Sequence, residues 1–188
     1  DFCTPIIFGS NKVCSIHGKA IELQDFNFHA INNISEAKAN KVNLLNCWKE
    51  NVEITFGAAT AISGEYAFQS IKLACNALKE KSIDVLVTGP INKASIQQKI
   101  SNFVGHTEFL QGNFEGEALM IMVSEVMKIA FVTGHIPLEQ VKTAINTDKI
   151  ISKTEQLNQS LITDFCIRKP KIAIIGLNPH AGEEGMLG

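Results

Sequence analysis

Three short apolar runs, each released by a glycine, constrain this chain more than any other feature. Asp84-Val85-Leu86-Val87-Thr88 runs into Gly89-Pro90, and Lys128-Ile129-Ala130-Phe131-Val132-Thr133 runs into Gly134-His135. Lys171-Ile172-Ala173-Ile174-Ile175 runs into Gly176-Leu177-Asn178-Pro179-His180. Their interiors are continuously apolar instead of alternating, the pattern of parallel strands covered by helices on both faces. Helical patterns separate them. The expected class is therefore α/β, a mostly parallel sheet flanked by helices with right-handed crossovers. In such sheets small ligands bind where the carboxyl ends of the strands release their loops, so these glycine exits are where an active site is expected.

Around these runs, residues 5–8 predict a strand closed by Gly9-Ser10-Asn11, and residues 52–56 predict another closed by Gly57. Tyr66, Ile71, Leu73, Ala74, Ala77 and Leu78 share a broad apolar face, which predicts a helix from Ser63, its expected cap, to about Lys79. A second long helix is predicted over residues 147–165, capped by Thr147. Residues 16–46 are polar, Asn-rich and weakly periodic, and only short elements are expected there. With 188 residues the chain can hold one ordinary domain plus part of another. It begins with Asp1 and ends on Met186-Leu187-Gly188 directly after a glycine-rich loop, so residues 1–188 are expected to be an incomplete segment of a longer two-domain protein, its internal boundary unplaced.

Composition removes several function classes. Seventeen basic and nineteen acidic residues leave a net charge of -2, so no overall field attracts nucleic acid or an anionic membrane. A phosphorylated small molecule needs only a local positive pocket. No apolar run reaches the length of a membrane span and the start lacks a signal peptide's order, so a cytoplasmic location is expected. Cys3, Cys14, Cys47, Cys75 and Cys166 are odd in number and form no CxxC pair. Reduced thiols are expected, with Cys75 and Cys166 as small core residues in helical patterns.

The chemistry-bearing residues cluster after the glycines. His135 and His180 carry imidazoles suited to divalent transition metals, and parallel strand ends can bring them together; polar or catalytic roles without metal stay open. In Gly105-His106-Thr107-Glu108, Thr107 can cap a helix while His106 donates to a phosphate or carboxylate, although the tetrapeptide can equally be a plain helix start. Asn92 can orient a polar group and Lys93 can neutralise a phosphate, or Lys93 can be an ordinary exposed lysine. His17 and His29 are unassigned. Neither GxGxxG nor GxxxxGK[ST] occurs, so no dinucleotide loop or P-loop is read, and no residues are assigned to cofactor binding.

Taken jointly, Val87-Thr88-Gly89-Pro90-Ile91-Asn92-Lys93, Gly105-His106-Thr107-Glu108-Phe109, Thr133-Gly134-His135-Ile136-Pro137-Leu138 and Gly176-Leu177-Asn178-Pro179-His180-Ala181-Gly182-Glu183 resemble the 4-hydroxythreonine-4-phosphate dehydrogenase family of pyridoxal phosphate biosynthesis. The likeness runs from about Ser63 to Gly188. It implies an NAD-dependent oxidoreductase that requires a divalent ion such as Zn, Mg or Co and works as a homodimer of two-domain α/β subunits, with the active site in the interdomain cleft. It implies His135 and His180 as metal ligands, a third metal histidine from the partner subunit, and His106 and Thr107 as substrate contacts. The implied reaction is oxidation of 4-phosphooxy-L-threonine at C3 and decarboxylation to 3-amino-2-oxopropyl phosphate. The general base is unassigned. Two alternatives stand beside it: a dehydrogenase of 4-phosphorylated erythronate or threonate, and a non-catalytic ligand-binding or scaffold protein.

Overall fold

The computed structural model describes residues 2–23, 27–180 and 183–186. It divides into two compact units, Asp1–Gly116 and Glu117–Gly188. No helix among the described residues is long and apolar enough to cross a membrane.

The first unit is built on a parallel sheet of three strands, β1 (Ile6–Gly9), β2 (His29–Ile31) and β3 (Asn43–Asn46), in the order β1-β3-β2. Helix α1 (Asn11–Ala20) follows β1 in the chain. The central strand reads Asn-Leu-Leu-Asn, which no apolar periodicity reveals. It is a strand through its parallel ladders with β1 and β2, and its buried Asn43 is satisfied there: its amide donates to the carbonyls of Pro5, Lys38 and Lys41 at 3.1–3.2 Å, and its oxygen accepts from Lys38 N–H at 2.9 Å. An unpaired amide there would cost about 1–3 kcal/mol. Leu44 beside it is fully buried.

Helix α2 (Ala61–Lys79) begins two residues before the expected start. Thr60 is the cap, accepting from Ser63 N–H at 3.1 Å, and Ser63 returns the bond by accepting from Thr60 N–H at 3.1 Å. Ser63 is thus the third helical residue of a capping box, not the cap. Four positions into the helix, Gly64 is required by space: a Cβ there would overlap the backbone carbonyl of Ser95. The missing side chain lets α3 (Lys93–Gln97) lie directly on α2, with Ser95 and Ile96 buried at the contact. Below it Ile71, Ile96 and Phe103 form a core that Phe68 and Phe109 extend. The Phe68 ring meets Phe103 and Phe109 edge-on at 5.6 and 5.2 Å. This packing carries α4 (His106–Gln111).

In the second unit β4 (Ile121–Val123) and β5 (Lys128–Ala130) form an antiparallel hairpin, followed by α5 (Leu138–Ala144) and α6 (Thr147–Thr163). Asn146, rather than Thr147, caps α6 by accepting from Lys149 N–H at 2.9 Å. Leu157 and Leu161 are buried, as is Lys153. The Lys153 ammonium is held by Glu117 at 2.9 Å, the Ala118 carbonyl at 3.0 Å and Gln156 at 3.1 Å.

The α/β class with a parallel sheet is as expected, and the strand expected over residues 5–8 is its β1, but none of the three glycine-released runs builds it. Residues 84–88 and 171–175 form no ladder, residues 52–56 are irregular, and only Lys128–Ala130 of the run 128–133 is a strand, paired antiparallel. An isolated strand has no stability of its own, because its N–H and C=O groups need a neighbour. Val87 and Ile175 are both 89% exposed, so these runs lack the burial their composition is suited to. Cys166 is a further correction: it lies beyond α6, exposed, at φ 56. Cys75 is buried as expected.

Candidate functional site

In the first unit the α2–α3–α4 core brings two of the sequence motifs together. Asn92 caps α3, its oxygen accepting from Ser95 N–H at 2.9 Å and Ser95 Oγ at 3.1 Å. That oxygen is committed to the fold, so any contact Asn92 makes with a ligand falls to its NH2 group. Lys93 is exposed and Gly105 buried. A Cβ on Gly105 would lie 2.9 Å from the Glu108 carboxylate and 3.3 Å from Lys93 Nζ, so both charged ends converge over that glycine. Gly105 itself has extended backbone at φ 169, and its role here is the space it leaves.

His106 is half-buried beside this cluster. Burial, and secondarily the Lys93 ammonium, push its pKa below the ordinary imidazole value. The ring is therefore neutral at pH 7 and can donate one N–H without carrying a charge. Gly105, not Thr107, occupies the cap position, and no side chain caps this helix. Thr107 is the second helical residue and exposed, which leaves its hydroxyl available to a ligand. The Lys93 ammonium and the neighbouring His106 imidazole together form a small anion-accepting surface, with the Glu108 carboxylate limiting its net charge. In Lys93→Gln the His106 midpoint is expected to rise but to stay below the ordinary value, since burial is the larger cause and remains. Following the ring proton by NMR against pH checks this. No change would remove Lys93 from the cluster.

In the second unit His135 lies exposed in the bend after β5. His180 sits in a turn where its backbone N–H donates to Asn178 Oδ1 at 3.0 Å, and its Nδ1 lies 2.7 Å from Glu183 Oε1. Ala181 and Gly182 of the same motif lie outside the described residues. Among the described residues no three His, Cys, Asp or Glu side chains gather to hold a metal. The donor chemistry nevertheless fits a divalent ion in part: an imidazole is a ligand for such ions, and the Glu183 contact is made by His180 Nδ1 and not by Nε2.

One feature was not read from the sequence. Beyond the carboxyl end of β1, Gly9, Ser10, Trp48, Thr60 and Tyr66 line a cleft of about 440 Å³. Trp48 packs on Tyr66 with ring centroids 4.7 Å apart, and its indole N–H is buried without a partner. Only placing β3 reveals it. Burial raises the pKa of the nearby Cys14 thiol, and that of Cys47 to about 11, which disfavours the thiolate at neutral pH in both.

Residues 1–188 match the family model described as pyridoxal phosphate biosynthetic protein PdxA. A Bacteroides thetaiotaomicron protein named 4-hydroxythreonine-4-phosphate dehydrogenase is 39% identical, covering 100% of this chain and 52% of its own length. A Fusobacterium nucleatum relative whose D-threonate 4-phosphate dehydrogenase name is provisional is 32% identical, over 100% of this chain and 57% of its own. A crystal structure of 4-hydroxythreonine-4-phosphate dehydrogenase from Burkholderia phymatum superposes with a TM-score of 0.80 at 28% identity, covering 99% of this chain and 57% of that one. The chain thus spans about half the length of the relatives it matches.

Proposed function

Since this chain belongs to the family of pyridoxal phosphate biosynthetic protein PdxA, we propose that the complete gene product oxidises 4-phosphooxy-L-threonine at C3 and decarboxylates the product to 3-amino-2-oxopropyl phosphate. The observation that carries this reading is the convergence of the Lys93 ammonium and the Glu108 carboxylate on Gly105 with His106 beside Lys93, a cluster suited to an anionic end of such a substrate. Oxidation removes a hydride from C3 and a proton from its hydroxyl; the resulting β-keto acid then loses its carboxylate as CO2. When bound, NAD supplies the hydride acceptor and a divalent ion supplies Lewis-acid polarisation of the C3 oxygen. His135 and His180 would hold that ion together with a histidine of the partner subunit in a homodimer. Lys93 offsets the substrate's negative charge and His106 orients it through a neutral N–H, with Thr107 and the Asn92 NH2 as further donors.

The Fusobacterium relative favours a second reading, in which the substrate is a 4-phosphorylated threonate. It keeps the same hydride chemistry and replaces recognition of the substrate amine by recognition of a hydroxyl. NADH formation by the complete gene product, with divalent ion and each of 4-phosphooxy-L-threonine, 4-phosphothreonate and 4-phosphoerythronate, separates them. The highest kcat/KM is expected for the amino acid. A clear preference for either sugar acid would reverse the choice, and no NADH from any of the three would favour a binding protein.

A further inference from the structure

We propose that Glu183 is a positioning residue for His180, accepting the Nδ1–H so that the imidazole presents Nε2 to a divalent ion; this rests on the reading of His180 as a metal ligand. The contact is short, 2.7 Å from Nδ1 to Glu183 Oε1. Its partner end is equally constrained, because the His180 backbone N–H is tied to Asn178 Oδ1 at 3.0 Å and Pro179 restricts the chain between them. Both side chains are about half exposed, 55% and 52%. A pair so open to water adds little to stability, so its value lies in orientation. Glu183 makes this contact from left-handed backbone, φ 38, a conformation unfavourable for a residue with a side chain.

A neutral imidazole carries its proton on one nitrogen only, and the hydrogen bond at that nitrogen decides which lone pair is left for a metal. A carboxylate on Nδ1–H fixes the ring's tautomer and orientation and makes Nε2 more basic. The carboxylate thereby acts on the ion through the histidine without touching it.

The test uses the complete gene product stripped of metal and titrated with Co2+, following the visible absorption of the ion. Glu183→Ala is expected to weaken Co2+ binding by ~10–100-fold. Glu183→Gln, which can still accept the hydrogen bond but lacks the charge, should fall between it and the unsubstituted protein. His180→Ala should lose more than either. Unchanged affinity in Glu183→Ala, with affinity lost in His180→Ala, would overturn the positioning role and leave the metal reading standing. Unchanged affinity in His180→Ala would overturn both. Should Glu183→Ala fail to fold, 15N shifts of His180 in the unsubstituted metal-free protein decide: a proton on Nδ1 is expected, and one on Nε2 would overturn the proposal.

Discussion

His135→Ala and His180→Ala, made separately in the complete gene product, are each expected to lower bound divalent metal and to cut kcat/KM for NADH formation by about 100-fold or more. A divalent ion supplies several kcal/mol of stabilisation to charge developing on an oxygen, and roughly 3 kcal/mol corresponds to that factor. Each histidine follows an apolar run of the second unit, His135 in the bend after β5 and His180 in the turn closed by Asn178. Metal content, measured after adventitious ions are removed, should fall in parallel with rate. Near-normal occupancy in both variants, with the quaternary state unchanged, would exclude them as ligands.

His106→Ala should act on the other half of the chemistry, weakening substrate capture by ~10–150-fold while leaving metal content intact. One hydrogen bond to a charged group is worth about 1.5–3 kcal/mol when no water replaces it. The helix that begins at His106 has only six residues and no side-chain cap. Its dipole therefore contributes little, and the effect falls on the imidazole itself, with Lys93 beside it. Metal content without substrate, then initial rates at saturating metal and NAD, separate the roles. Lost metal with normal capture at restored occupancy would move His106 to the metal. Unchanged values throughout would leave it a helix-start residue.

How much of this was legible beforehand depends on how far apart in sequence the interacting groups are. The long helices were readable because their apolar faces repeat locally and capping residues stand next to them; Thr60 and Asn146 displaced Ser63 and Thr147 as caps by only a few positions. The motif histidines, Asn92 and Lys93 were visible as residue types after glycines. Their grouping was not. Gly105 lies twelve residues beyond Lys93, and the two meet because Gly64 has no side chain to keep α3 off α2.

What the sequence by itself determined is the class: apolar runs, glycine exits and two amphipathic helices are written in residues a few positions apart, where side-chain period and backbone preference act. Which strands pair was decided only by the tertiary structure. β3 exists because β1, some 37 residues earlier, and β2 supply its ladder partners, with the distant Pro5 carbonyl accepting from the buried Asn43 amide, whereas the more apolar run 171–175 forms no ladder. Hydrophobicity sets how favourable burial would be, but a strand also needs a neighbour for its backbone hydrogen bonds, and that neighbour is never local to it in a parallel sheet.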